Sequence, residues 1–251
     1  KDRWLRRLLR GDAIAGFALS EAGAGSDASA IRTEARREKA GFIFRGSKRW
    51  VTNGLRADVY LVFARTAEGT GAFLIPRKTA GLTVTPMGPL LGVRAAGIAE
   101  LRFEDCNLSA DVLIGGPGGG LNFVLPAGLA LGRYAVACGC LGMVRACLAA
   151  AIAHARARTQ ADVVLSSHQL VRRMLARMIV GSRAVGVFCR RCGELLQSGS
   201  PGAMLETAIA KYLASQVARE ATADSVQICG GEGCLEGHIV ERFFRDAKVM
   251  E

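Results

Sequence analysis

Six consecutive residues, Gly115-Gly-Pro-Gly-Gly-Gly120, cut this chain in two. Glycine loses the most backbone entropy on ordering and proline lacks an amide hydrogen, so neither helix nor strand runs easily through such a stretch. The run follows no clear strand and holds no Lys, Ser or Thr, so it reads as a linker rather than a phosphate cradle. Texture changes across it. Before it, short β-rich runs recur at 14–19, 41–45, 59–65, 72–75, 82–85 and 99–103, the pattern of an antiparallel sandwich or barrel. After it, Leu141, Val144, Leu148 and Ile152 recur at helical spacing, as do Val171, Met174, Met178, Val185 and Leu195. Ser200-Pro-Gly202 interrupts, 203–226 predicts a third long helix, and a fourth begins near His238. Four apolar-faced helices with short connections predict a bundle. The expected fold is therefore α+β and multidomain, a β-domain over 11–114 followed by a helical bundle over 121–251.

Composition narrows the function classes. Half of the 251 residues are hydrophobic and 22% are charged, as in a globular protein. The net charge of +11 is scattered through apparent helices, with no sustained basic stripe beyond Arg36-Arg37 and Arg190-Arg191, which argues against a nucleic-acid partner. A basic surface equally attracts the phosphates of coenzyme A or an acidic carrier protein. The longest uncharged run, 115–132, is broken by two prolines and seven glycines, so no membrane span is expected. Cys138, Cys140, Cys147 and Cys229 sit in apolar helical surroundings, as reduced buried thiols do. Cys189-x-x-Cys192 lies inside a predicted helix without a second pair, and His154, His168 and His238 show no ligand spacing, so no metal is expected. With no secretory signal at the visible start, the expected compartment is the cytoplasm.

Two segments carry the chemistry. Phe17-Ala-Leu-Ser-Glu-Ala-Gly-Ala-Gly-Ser-Asp27 runs an apolar strand (Ile14, Phe17, Leu19) into a turn where Gly23 and Gly25 admit close approach of a ligand. Ser20, Ser26 and free amides there supply hydrogen bonds. Gly46-Ser-Lys-Arg-Trp-Val-Thr-Asn-Gly54 places Trp50 two residues before Thr52, on a strand whose alternation points both the same way. A flat ring beside polar donors suits a planar, partly polar cofactor. Read singly, each segment is equally a hairpin.

In this order the two segments resemble the acyl-CoA dehydrogenase family of flavoproteins, whose pattern is Thr/Ser-Glu-Pro-Gly-Ala-Gly-Ser-Asp followed by Gly-x-Lys-x-Trp-Ile-Thr-Asn-Gly, with Ala22 here replacing the usual proline. Leu91-Gly-Val-Arg94 and Leu101-Arg-Phe-Glu-Asp105 resemble the closing strands of its β-domain. Ser225-Val-Gln-Ile-Cys-Gly-Gly-Glu-Gly233 and Val240-Glu-Arg-Phe-Phe-Arg-Asp-Ala-Lys248 resemble its C-terminal signatures. The resemblance implies an N-terminal helical domain absent from this sequence, with 1–10 as its tail, a flavin-contacting β-domain and a four-helix bundle left incomplete. It implies FAD as cofactor, α,β-dehydrogenation of an acyl thioester on coenzyme A or acyl carrier protein, a homodimer or homotetramer, and electron-transfer flavoprotein or another electron acceptor. By position, Phe17, Leu19 and Ser20 would contact the isoalloxazine, Gly25 and Ser26 would lie between flavin phosphates and the thioester arm, Trp50 would cover the ring, and Thr52 would donate toward N5. Arg158, eleven residues before Gln169, would reach a neighbour's FAD pyrophosphate, with Gln227, Gly230 and Gly231 on the ADP half; Thr159-Gln-Ala-Asp162 replaces the usual Phe-Gly pair there. Ser26 and Arg133 would meet substrate. The catalytic base is expected beyond Glu251, since Gly132 occupies the alternative position before Arg133, and Glu100, Glu104 and Glu241 read as structural carboxylates. The other readings are an oxygen-using flavoenzyme of the same fold, an oxidase or N-hydroxylating monooxygenase, and a flavin-free structural relative.

Overall fold

The computed structural model describes residues 2–251. Residue 1, part of the expected tail of an N-terminal domain, lies outside the described residues. The chain divides into two compact units, one built from residues up to 90 together with 94–126, the other from 91–93 and 127–251.

The first unit opens with helix α1 (Asp2–Arg10) and strand β1 (Ala15–Ala18), then runs through β2 (Glu34–Glu38), β3 (Gly41–Val51), β4 (Val59–Thr66), β5 (Gly69–Pro76), β6 (Leu82–Pro86), β7 (Ala99–Ser109) and β8 (Leu113–Ile114). The strands form one sheet in the order β6-β7-β3-β2-β4-β5-β8, with β1 also on β4. The expected antiparallel pairing holds for most neighbours, but β1 and β2 both run parallel to β4. Parallel pairing needs a long connection, and the segments 19–58 and 39–58 provide it. Two strands lie outside the predicted runs. β2 buries only Ala35, so it carries no apolar alternation to read, and β8 is two residues long.

Apolar residues at every second position of β3, β4 and β5 build the core. Phe44 is fully buried, edge-on to Phe73 at 4.8 Å between ring centroids and tilted against Phe103 at 6.0 Å. Such pairs add to the area the rings bury. Gly46, at φ +133, marks a bulge in β3, where a Cβ would lie 2.7 Å from Thr33 Cα. The glycine run at 115–120 is packed into this unit rather than extended: a Cβ on Gly120 would lie 2.7 Å from the backbone of Gly71. The division between units falls after Pro126 instead.

In the second unit, α2 (Leu125–Ala157), α3 (Gln169–Gln197), α4 (Ala203–Cys229) and α5 (Ile239–Met250) pack around a core of small residues. Ala137, Cys140, Val144, Cys147, Ala151 and Ala155 line the inner face of α2, and Ala210, Ala214, Ala218 and Ala221 that of α4. The predicted stripe is only partly internal, since Leu148 and Ile152 are half-buried and the smaller neighbours take the centre. With the π-helical turn at Gly120–Val124, α2 makes a helix long and apolar enough to cross a membrane, with a mean hydropathy of 2.0 over its most apolar window. In the sequence the uncharged run ends at Gly132, before Arg133, and its glycines and prolines read as breaks. Here Pro126 stands where the π-helical turn meets α2, and the helix continues through it.

Leu91–Val93 form no closing strand of the sheet. Val93 donates its N–H to Asp246 at 2.6 Å, Arg245 donates to the Leu91 carbonyl at 2.8 Å, and Gly92 lies so close to α5 that a Cβ would come within 2.5 Å of the Arg245 carbonyl oxygen. The cysteines are unpaired; Cys140, Cys147, Cys189, Cys192 and Cys229 are buried in the helical unit, whereas Cys138 is half-exposed. Burial pushes the Cys140 thiol up to about 11 and, with Cys138 alongside, that of Cys189 to about 12. These are packing groups rather than nucleophiles.

Phe44→Ala is expected to lower the stability of the β unit by about 3–5 kcal/mol, the usual cost of an aromatic cavity, read as a shift in the urea midpoint.

Candidate functional site

The β unit gathers one group of the predicted residues. Phe17 lies half-buried in β1, its ring 5.2 Å from Phe63. Leu19 and Ser20 follow the strand, and Glu21 and Ala24 then close a tight turn by exchanging backbone hydrogen bonds of 2.9 and 3.3 Å. Ala22 and Gly23 form its tip, and Gly25 and Ser26 lie exposed just beyond. A Cβ on Gly23 or Gly25 would meet nothing within 4 Å, and neither has a positive φ. Nothing inside the protein requires glycine at these positions, so their surface is open to a ligand. Asp27 ends the segment by capping the short 3-10 helix Ala28–Ala30.

This loop is moored to β3 by Lys48 and Glu21. Lys48 is fully buried; its ammonium donates to Glu21 Oε1 at 2.7 Å and to the Leu19 carbonyl at 2.9 Å. Glu21 also accepts the N–H groups of Arg32 at 2.6 Å and Thr33 at 3.0 Å, and Arg49 donates its own N–H to the Ser20 carbonyl at 2.8 Å. Burial opposes ionisation of Glu21, but Lys48 and the two backbone donors outweigh it and hold the carboxyl below its ordinary value. Burial pulls the Lys48 ammonium below its ordinary range, with Glu21 restraining the fall. The pair had a signal in the sequence. Lys48 shares the parity of Phe42 and Phe44, the inward face of β3, and a lysine there demands a buried carboxylate.

Past Lys48 the strand departs from regularity. The register against β7 shifts between Lys48 and Val51, and Trp50 has φ +61, a region that bulky residues seldom occupy. The sequence placed Trp50 and Thr52 on the same face of a strand. The structure instead ends β3 at Val51, with Trp50 on a bulge and Thr52 in the following turn. The indole is 54% exposed, with the Arg49 guanidinium 5.5 Å from its centroid, and Arg49 in turn reaches Glu100 at 3.2 Å. Backbone strain of this kind persists only where the surroundings impose it and concentrates at ligand sites. The hydroxyls of Ser20, Ser26 and Thr52 make no hydrogen bond among the described residues.

A second group lies in the helical unit. Arg158 follows the end of α2, exposed, its backbone held by Arg158 N to His154 O at 2.9 Å and Leu165 N to Arg158 O at 2.8 Å. It leads into the hairpin of β9 (Thr159–Gln160) and β10 (Val163–Val164), whose turn residues Ala161 and Asp162 both have positive φ. Gln227 is exposed on the last turn of α4, and Gly230, at φ +61, ends that helix. A Cβ on Gly230 or Gly231 would meet nothing within 4 Å. His154 Nδ1 lies 3.7 Å from Glu232 Oε2, so Arg158 and the Gly230-Gly231 turn share one end of this unit. Arg133 is not with them. It sits half-buried 25 residues earlier on α2, a separation of roughly 37 Å along a helix. Glu100, Glu104 and Glu241 pair with Arg49, Arg102 and Arg245. Among the described residues no three His, Cys, Asp or Glu side chains are grouped to hold a metal ion.

Comparison with known proteins gives consistent matches. The acyl-CoA dehydrogenase middle-domain family model matches residues 16–106, and that of the acyl-CoA dehydrogenase C-terminal domain matches 118–251. The chain is 36% identical over 256 aligned residues to the mitochondrial short-chain specific acyl-CoA dehydrogenase of Mus musculus, covering all of this chain and 62% of that protein. The chain thus spans less than two thirds of the length of such relatives. Among solved structures, butyryl-CoA dehydrogenase from Megasphaera elsdenii superposes with a TM-score of 0.94 at 34% identity, covering 99% of this chain and 66% of that one. The prolyl acyl carrier protein oxidase AnaB superposes with a TM-score of 0.94 at 28% identity, over the same shares.

Breaking the buried pair should be costly and dependent on pH. Lys48→Met leaves a buried carboxylate without its cation and is expected to cost about 3–5 kcal/mol at pH 7. Because the folded-state value of Glu21 is depressed, its contribution is complete above its ordinary 4.5 and is lost as pH falls through the lowered value. The gap between wild type and Lys48→Met should therefore close below about pH 4.5, measured by urea denaturation across a pH series.

Proposed function

The chain belongs to the acyl-CoA dehydrogenase family, and from that premise we propose that it works in an FAD-dependent oxidoreductase that desaturates an acyl thioester between its α and β carbons. The observation that carries the reading is the group formed by the strained, exposed Trp50, the unpartnered hydroxyls of Ser20, Ser26 and Thr52, and the open glycine surface at Gly25. An exposed indole beside idle donors suits a flat cofactor with a polar edge, so these residues fit a flavin. When bound, FAD supplies the hydride acceptor.

The roles of the protein's own groups follow from their chemistry. Phe17 and Leu19 provide an apolar wall, and Ser20 hydrogen-bonds the polar edge of the ring system. Trp50 covers the ring and excludes water, while the Thr52 hydroxyl donates toward the hydride-accepting nitrogen. Gly25 and Ser26 leave room for the flavin phosphates and the thioester arm. Desaturation breaks two C–H bonds on adjacent carbons, so both must be held in place together, and rigid positioning supplies much of the rate. In the helical unit, Arg158 offers a planar fork to a pyrophosphate, Gln227 offers its side-chain amide and the open turn at Gly230 and Gly231 offers room to the ADP half of a neighbouring subunit's FAD, which makes the working unit a homodimer or homotetramer. Arg133 is assigned to substrate. The acyl group is carried by coenzyme A or by an acyl carrier protein, and an electron-transfer flavoprotein takes the electrons onward. Eight unpaired cysteines suit a reducing cytoplasm.

A second reading within the fold is an oxidase that returns its electrons to oxygen. Its support is the likeness to the prolyl acyl carrier protein oxidase AnaB.

The deciding measurement is the visible spectrum of the FAD-loaded full-length protein before and after anaerobic addition of acyl thioesters. Bleaching on addition is the expected outcome, and Thr52→Ala should slow it by about 100-fold, the usual cost of removing one preorganised donor. A spectrum that stays oxidised with thioesters of both carriers overturns desaturation. Rapid recovery of the bleached colour on admitting air selects the oxidase reading.

A further inference from the structure

The middle of the β sheet carries charge where an interior strand would ordinarily be covered. β2 lies between β3 and β4, yet Glu34, Arg36, Arg37 and Glu38 are all exposed and only Ala35 is buried. Arg32 precedes β2, and Arg65 on β4 is aligned with Glu34. Together Arg32, Arg36, Arg37 and Arg65 line a concavity of about 460 Å³ in which Glu34 is the one acidic lining residue.

Elsewhere on this sheet guanidinium groups are neutralised locally, Arg45 by Asp105, Arg102 by Glu104 and Arg49 by Glu100. In the concavity only Arg36 reaches a carboxylate, Glu38, at 3.1 Å and well exposed. Arg32, Arg37 and Arg65 have no carboxylate within ion-pair distance among the described residues. Arg37 lies over the Phe42 ring, 5.4 Å from its centroid, a contact that holds the guanidinium in place. Four cations gathered with so little counter-charge repel one another, and an anionic partner relieves that repulsion.

The place of the concavity indicates which partner. The Arg32 N–H is bonded to Glu21 Oε2, the carboxylate that moors the Ser20 to Ser26 loop, so the basic surface begins beside the residues assigned to the thioester arm. No glycine and no helix N-terminus lines it, so it lacks the converging backbone amides that hold a small phosphate. Its charges are spread along β2 and onto β4, which pair only at Glu34 and Arg65, a layout that matches an acidic protein surface better than a nucleotide.

We propose that the arginine concavity on β2 and β4 is the docking surface for an acidic acyl carrier protein, which presents its phosphopantetheine arm to Gly25 and Ser26. This inference rests on the acyl-thioester reading and commits it to a carrier-bound substrate. Docking of this kind is steered by charge and weakens with salt.

The test measures binding apart from turnover. A fluorescently labelled, phosphopantetheinylated acyl carrier protein is titrated with the FAD-loaded protein, and anisotropy is read at low and high sodium chloride. Wild type should bind with an affinity that falls steeply with salt. Arg36→Ala/Arg65→Ala should weaken it by about 10-fold or more and flatten the salt dependence, while anaerobic bleaching by a small acyl-pantetheine thioester stays unchanged. The proposal is overturned if no carrier binding is detected, if the double variant binds as wild type does, or if free coenzyme A displaces the carrier and its own affinity falls equally in the variant. Absence of bleaching in wild type with thioesters of both carriers overturns the desaturation reading alone, since anisotropy reports docking without chemistry.

Discussion

One buried ammonium organises the β unit. Taking Lys48 out of water costs several kcal/mol unless its donors are satisfied, and the chain satisfies them by bringing the Glu21 carboxylate and the Leu19 carbonyl to the inner face of β3. Glu21 then has oxygen lone pairs to fill, which draws in the N–H groups of Arg32 and Thr33. Three stretches distant in sequence, 19–21, 32–33 and 47–49, are thereby fixed at one point. The loop that carries Gly25 and Ser26 and the bulge that carries Trp50 both continue from this point in the C-terminal direction. The positive φ of Trp50 is tolerable because the strand before it cannot slide.

The helical unit rests on a different principle. Its centre holds alanines and thiols rather than large side chains, so helix backbones approach closely: a Cβ on Gly181 of α3 would lie 2.6 Å from Val217 of α4. Close approach leaves little room for polar groups, and the largely buried Asp224 is met by both Nε and Nη2 of Arg177. Leu91–Val93 joins this unit for the same reason. Gly92 presents bare backbone to α5, and Asp246 takes the N–H of Val93, whose φ of +52 is strained for a β-branched residue.

The sequence also carries a surface whose meaning depends on the sheet. Arg32, Arg36, Arg37 and Arg65 are ordinary scattered charges when read along the chain. The parallel alignment of β2 with β4 gathers them into one concavity. No periodic pattern announces such a pairing, because it is formed by strands whose link runs through β3.

Local chemistry made much of this protein legible from residues alone. Alternation located β3, β4, β5, β6 and β7, though only the first halves of β3 and β7, helical spacing gave α2 to α5, and His238 marked the start of α5, where its ring accepts the Val240 N–H. The Gly25-Ser26 and Trp50-Val-Thr52 segments stood out because, in this order, they resemble a family pattern, although each alone reads equally as a hairpin. What remained hidden depended on neighbours distant in sequence. β2 has no apolar face of its own, the departure of Trp50 from the strand follows from a shift in register against β7, and 91–93 goes with the helices through contacts to residues more than 150 positions away. Sequence determines what each segment favours locally. Burial and pairing between distant segments decided where the charges of Lys48 and Glu21 could be satisfied, and with them the shape of the site.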